Sequence, residues 1–192
     1  VAVVVVVLAG LVGLVEAVKV ALIRDAAFFE FIAARVQPLS VFAPEPFEAV
    51  IRESARQHME HIATSGDPFE RGSARPLDFG HWAAHKLEQM SGFALSHGEA
   101  VAVGMALDLL YAKASGLLAP ALAHRILTVL QQLGLALWTP FLDLRGPAGR
   151  RTVLEGLEEF REHLGGRLSI PMIRAPGDRL EVHEMDLGRV DA

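Results

Sequence analysis

Residues 78–104, DFGHWAAHKLEQMSGFALSHGEAVAVG, constrain this chain more than any other stretch, because they set three histidines at two helix boundaries. His81 and His85 stand four apart, so on a helix both imidazoles leave one face, one turn apart. That is how two nitrogen ligands reach one metal ion, and neutral imidazole is the commonest such ligand. His97 follows the helix-breaking pair Ser91-Gly92 and opens a second helix, where Ser96 and Glu99 read as a capping box. A short loop folding back brings His97 opposite His81. Spacing alone leaves two readings open: a metal site, or a satisfied buried pair plus a capping histidine.

Composition narrows the chemistry. The 192 residues suit one domain, or one domain with a piece of another, and at 52% hydrophobic they can bury a sizeable core. A net charge of −5 with no Lys/Arg cluster excludes a nucleic-acid surface. Cysteine is absent, so disulfides, a thiolate nucleophile and Cys-ligated zinc are all excluded. Any metal must be held by His, Asp or Glu. A reducing, cytoplasmic setting is expected. The first fifteen residues, VAVVVVVLAGLVGLV, carry no charge but fall short of the roughly 20 needed to span a bilayer. No basic residue precedes them as in a signal peptide. Their β-branched run predicts a buried strand.

Helical patterns are expected over residues 13–36, 47–64, 80–90, 98–115, 120–133 and 149–163. Residues 167–175 and 180–183 predict a short hairpin near the end, so the fold class is mainly α. Within the first helix Glu16 and Lys19 share a face. An isolated surface ion pair is one reading. Their apolar neighbours favour a place in or beside the core, where charges need a partner or a metal. Glu16 is therefore the best distant carboxylate ligand. His58 and His61 are read as a solvated or cleft-lining face. Arg75 arrives just before the histidine helix, where its planar donor fork suits a phosphate or carboxylate, although a plain surface arginine fits equally. Ala100, Ala102, Gly104 and Ala106 let another backbone approach the fourth helix closely.

Three segments, GLVEAVKVALIRDAAFF, LDFGHWAAH and HGEAVAVGM, carry a resemblance across nearly the whole chain. They resemble the G-L-x-E-x-x-K, L-N-x-G-H-x-x-x-H and H-G-E-A-V-A-x-G-M motifs of 3-dehydroquinate synthase and its relatives, the sugar phosphate cyclases. The 97 − 81 = 16 residues between the outer histidines also match the family. The resemblance implies a zinc or cobalt site of Glu16, His81 and His97, with Lys19 and His85 as catalytic groups beside it and Arg75 and Asp78 toward the substrate. It implies a multi-helical C-terminal domain, a homodimer, a small sugar phosphate as substrate and tightly bound NAD. Family enzymes oxidise an alcohol with NAD, eliminate phosphate, reduce the ketone and close a carbocycle.

Residues 1–12 are then the remnant strand and boundary of a nucleotide-binding domain, and residues 13–192 the metal- and substrate-binding domain. No glycine-rich phosphate loop occurs here, so NAD is expected to be held mainly by that other domain, and this chain alone to turn over little. Four departures stand out. Asp78 replaces an asparagine, a lysine near Glu60 is absent, Arg75 is displaced by one position, and FREHLGG, from Phe160, replaces a D-K-K motif. They favour a divergent cyclase acting on a sedoheptulose-type or other sugar phosphate. The alternatives are an inactive metal- or sugar-phosphate-binding module, and a structural domain whose histidines only pack.

Overall fold

The computed structural model describes residues 2–64, 76–147 and 149–191, with side chains from Gly10 onward except those of Pro76 and Asp191. Helix α1 (Ala2–Arg24) runs through the middle of the molecule. From Leu14 to Ile23 its apolar side chains are all buried, so it is enclosed on every side rather than striped. The valine run forms the first turns of α1 and not the expected strand. A short apolar run has no period that separates strand from helix, and the helical pattern downstream extends back through it.

The helix expected over residues 13–36 breaks at Asp25. Its Oδ1 accepts from the Phe28 N–H at 3.0 Å and caps α2 (Ala26–Ala33). Helices α3 (Val36–Ser40) and α4 (Pro44–Thr64) follow. Gln57 on α4 donates to Asp25 Oδ2 at 2.7 Å, and Arg24 donates to the Gln57 carbonyl at 2.7 Å, which stitches α4 to the α1–α2 break. His58 is exposed as expected, but His61 is buried. Val50, Ser54, Gln57 and His61 fall at helical spacing on the inward stripe of α4, so a polar residue type gave the wrong face.

Helices α5 (His81–Met90) and α6 (His97–Ala114) form the tightest helix pair. The capping box read from Ser96 and Glu99 is present: Glu99 Oε2 accepts from the Ser96 N–H at 2.8 Å. The expected close approach is at Gly104, where an added Cβ would lie 2.0 Å from the Gly80 carbonyl oxygen. Gly80 has φ +82°, a conformation that favours glycine, as the chain turns into α5. Asp108, fully buried on α6, accepts from the Gly80 N–H and from Trp82 Nε1, both at 2.7 Å. Both partners are donors, which suits an acceptor-only carboxylate at a helix N-terminus. Burial works the other way and raises its pKa to about 7.

Helix α7 (Pro120–Gln132) starts on Pro120, as expected. The helix expected over residues 149–163 begins later, as α8 (Glu155–His163). Arg145 and Arg151 pair across the preceding turn, and residues Thr152–Leu154 form a 3₁₀ turn. Lys86 of α5 reaches Glu155 at 2.9 Å and Glu159 at 2.6 Å, joining α5 to α8. Strands β1 (Ile170–Ala175) and β2 (Asp178–Val182) make the expected antiparallel hairpin, with Met172 opposite Leu180. Its tip docks on α1, where the Gly177 N–H donates to the Leu22 carbonyl at 2.8 Å. A short α9 (Leu187–Asp191) follows. No helix among the described residues is long and apolar enough to cross a membrane.

Candidate metal centre

His81 is the first residue of α5 and is buried, with its Nδ1 3.2 Å from the Phe79 carbonyl oxygen. A carbonyl can only accept, so Nδ1 carries the proton and Nε2 keeps its lone pair. Burial, then the charge of Lys19, holds the His81 pKa down to about 3 against the Phe79 carbonyl, so this imidazole is neutral at physiological pH. His97 opens α6, and its Nδ1 lies 3.3 Å from Glu88 Oε1. Engagement of Nδ1 by the carboxylate leaves Nε2 as the nitrogen open to a metal. Metal-binding histidines are commonly fixed by such a carbonyl or carboxylate on the second nitrogen.

The ring centroids of His81 and His97 are 5.3 Å apart, those of His81 and His85 5.5 Å, and those of His85 and His97 6.2 Å. Two imidazoles bound about 2.1 Å from a shared zinc have centroids roughly 5 Å apart. His85 and His97 are exposed, whereas His81 is buried. Desolvation, more than its imidazole neighbours His97 and His163, holds the His85 pKa below the usual value, opposed by Glu88. His85 also lines a cavity of about 140 Å³ with Trp82, Gln89, Glu159, Phe160 and His163.

Lys19 is buried within α1, and its Nζ lies 2.8 Å and 3.0 Å from the two oxygens of the half-buried Glu16. The ion pair is therefore in the core wall, not on an open surface. Val12 packs on Gly98, where a Cβ would lie 2.7 Å from Val12 Cγ2. Glu16 follows Val12 by one helical turn, on the side of α1 toward the start of α6.

The structure thus gathers His81, His85 and His97 and pairs Glu16 with Lys19. Among the described residues, no group of three or more His, Asp or Glu side chains is arranged to hold a metal ion as the side chains stand. The expected trio of Glu16, His81 and His97 is not among such groups, and the Glu16 carboxylate lies against the Lys19 ammonium. The donor set nevertheless fits a divalent cation: two imidazoles whose Nδ1 atoms are engaged by Phe79 and Glu88, and a carboxylate one turn from the contact with α6. Asp78 ends the 3₁₀ turn Pro76–Asp78, half-buried and three residues before His81. Arg75 lies outside the described residues.

Two residues of the site were not read from the sequence. Glu88 follows His85 by three positions, which puts it on the same helix face and was visible in principle. Asp108 gave only the weak signal of a carboxylate inside a mostly apolar stretch of α6. A cavity of about 680 Å³ between Arg150, Arg161 and Leu187 includes none of the three histidines.

Residues 13–150 match the family described as 3-dehydroquinate synthase C-terminal. A 3-dehydroquinate synthase of Halorhodospira halophila is 32% identical over 173 residues, which are 90% of this chain and 47% of that protein. A 2-epi-valiolone synthase of Stigmatella aurantiaca is 34% identical over 189 residues, covering 94% and 45%. Among solved structures, the 2-epi-5-epi-valiolone synthase of Streptomyces hygroscopicus subsp. jinggangensis, with NAD+ and Zn2+ bound, superposes with a TM-score of 0.82 at 27% identity. That match covers 94% of this chain and 49% of the other. The chain spans about half the length of the relatives it matches.

Proposed function

From the premise that this chain belongs to the 3-dehydroquinate synthase C-terminal family, we propose that it is the metal-binding part of a sugar phosphate cyclase. The reaction is a cyclisation with elimination of phosphate, dependent on NAD and on zinc or cobalt. The observation that carries this reading is the paired engagement of Nδ1, by the Phe79 carbonyl in His81 and by Glu88 in His97, on rings 5.3 Å apart. It leaves two Nε2 lone pairs for one ion. Glu16 is the third ligand once its carboxylate leaves Lys19.

The bound cation supplies Lewis acidity toward hydroxyl and carbonyl oxygens of the substrate. Lys19 contributes a fixed ammonium in a desolvated wall, where it stabilises negative charge on a substrate oxygen. His85, an exposed imidazole beside His81, moves protons between substrate and solvent. Arg75 and Asp78 are assigned to the substrate, the arginine through its donor fork. NAD is assigned to a separate nucleotide-binding domain joined through residues 1–12, and the assembled enzyme to a homodimer. Asp78 in place of the family's asparagine, with the other departures from its motifs, favours a sedoheptulose-type or other sugar phosphate over the dehydroquinate precursor.

Metal analysis of the purified chain tests the site. About one equivalent of zinc or cobalt is expected, lost in His81→Ala and in His97→Ala. A wild-type chain that retains none after reconstitution with either metal overturns the reading. Phosphate release from seven-carbon sugar phosphates with NAD, assayed on the full-length protein, separates the cyclase from a binding module without turnover.

A further inference from the structure

Asp108 is a buried carboxylate for which neither the metal site nor the proposed reaction accounts. It stands on α6, three turns beyond His97, with no cation among its hydrogen-bond partners. An isolated buried carboxylate is costly to keep, so its place needs a reason. Its two bonds go to Gly80 and Trp82, the residues on either side of His81. Gly80 has no side chain with which to cap α5, and no side chain of its own element does so. Asp108 takes that role from the neighbouring helix, against the helix N-terminal charge. The same turn is seated by the Gly80–Gly104 approach and carries the Phe79 carbonyl that receives His81 Nδ1.

We propose that Asp108 is a positioning residue for His81: by bridging the Gly80 N–H and the Trp82 indole N–H it locks the first turn of α5. With the turn locked, His81 keeps Nδ1–H on the Phe79 carbonyl and presents Nε2 as its lone pair. This rests on the metal reading of His81 but reaches a residue that touches neither ligand nor substrate. Replacing Asp108 by asparagine places an amide donor against one of two donors, so one bond is lost at constant volume.

The test compares wild type, Asp108→Asn and Leu109→Ala, the last a fully buried neighbour on α6 whose side chain cannot hydrogen-bond to Gly80 or Trp82. The imidazole ¹⁵N shifts of His81 are read in metal-free protein, and zinc affinity is measured by competition with a chelator. Wild type and Leu109→Ala are expected to show a single Nδ1–H tautomer at His81. Asp108→Asn is expected to show a tautomer mixture and zinc binding weakened roughly 10- to 100-fold. Should Asp108→Asn fail to fold, Trp82→Phe removes one of the two donors and is expected to shift the tautomer in the same direction. A single unchanged tautomer with wild-type zinc affinity in the folded variant overturns the proposal, as does an equal loss in Leu109→Ala. If wild type binds no zinc, the metal reading falls, while the tautomer comparison in metal-free protein still decides the role of Asp108.

Discussion

Gly104→Ala probes the packing on which the histidine helix is seated. A Cβ at residue 104 would lie 2.0 Å from the Gly80 carbonyl oxygen, 2.8 Å from its carbonyl carbon and 3.1 Å from its Cα. Ordinary contact begins at 3.4 Å, so the two backbones must separate by about 3.4 − 2.0 = 1.4 Å. Nothing flexible can yield, because every atom met is backbone. Overpacking of this kind costs about 3 kcal/mol, the upper end of its usual range. Alanine recovers about 1 kcal/mol over glycine within a helix, leaving a net loss of about 2 kcal/mol. In a chain of this length that lowers Tm by about 4–8 °C. Thermal unfolding of metal-free protein measures it, with Gly146→Ala as the control, since its Cβ would meet only the end of Glu155 at 3.8 Å. Because Gly80 adjoins His81, zinc affinity should fall as well. Melting within 1 °C of wild type together with unchanged zinc binding would refute the idea that this contact seats α5.

Other outcomes follow from the same geometry. Glu88→Gln removes the carboxylate beside His97 Nδ1 and is expected to weaken zinc binding about 10-fold, read by chelator competition, with little change in Tm. The pH dependence of the metal-free chain carries two opposed contributions. His81 has its folded pKa lowered to about 3, so its share of stability is present above its unfolded pKa near 6.5 and is lost as pH falls below that. Asp108 has its folded pKa raised to about 7, so its share is present below its unfolded pKa near 3.8 and is lost as pH rises through 7. Urea midpoints at pH 5 and pH 7 should rise with pH in Asp108→Asn and fall with pH in His81→Phe, and equal slopes in the two variants would contradict both assignments. Zinc at 100 times its Kd should stabilise wild type by about 2.7 kcal/mol and leave His97→Ala unchanged, by thermal shift.

Local signals predicted local structure well. Ser96 and Glu99, Pro120, and the helix-breaking pair at Ser91-Gly92 carry their cues within a few residues, and α5, α6 and α7 begin and end within a residue or two of expectation. The spacing of His81 and His85 foretold a shared face, and the small residues of α6 foretold the approach at Gly104. The valine run departs from expectation because the helix that follows it extends back through it, and tertiary context overrides the preference of β-branched residues for strands. His61 departs from expectation because its helical spacing with Val50, Ser54 and Gln57, not its polar type, decides the face it occupies. Asp108 was illegible because its partners lie 26 and 28 residues away, a separation that no local pattern encodes. The turn of Glu16 onto Lys19 is a side-chain choice that the shared face allowed but did not specify.

The hairpin that clasps α1 also dictates an order of events during synthesis. Leu22 and Gly177, joined by one backbone bond, are 177 − 22 = 155 residues apart along the chain. The helix bearing Glu16 and Lys19 therefore leaves the ribosome long before its last cover exists. Its apolar surface must stay shielded by transient partners until β1 and β2 arrive, which makes nascent chains lacking the hairpin aggregation-prone. Stop codons introduced before Ile170 should thus yield insoluble product even though every histidine of the site has been made.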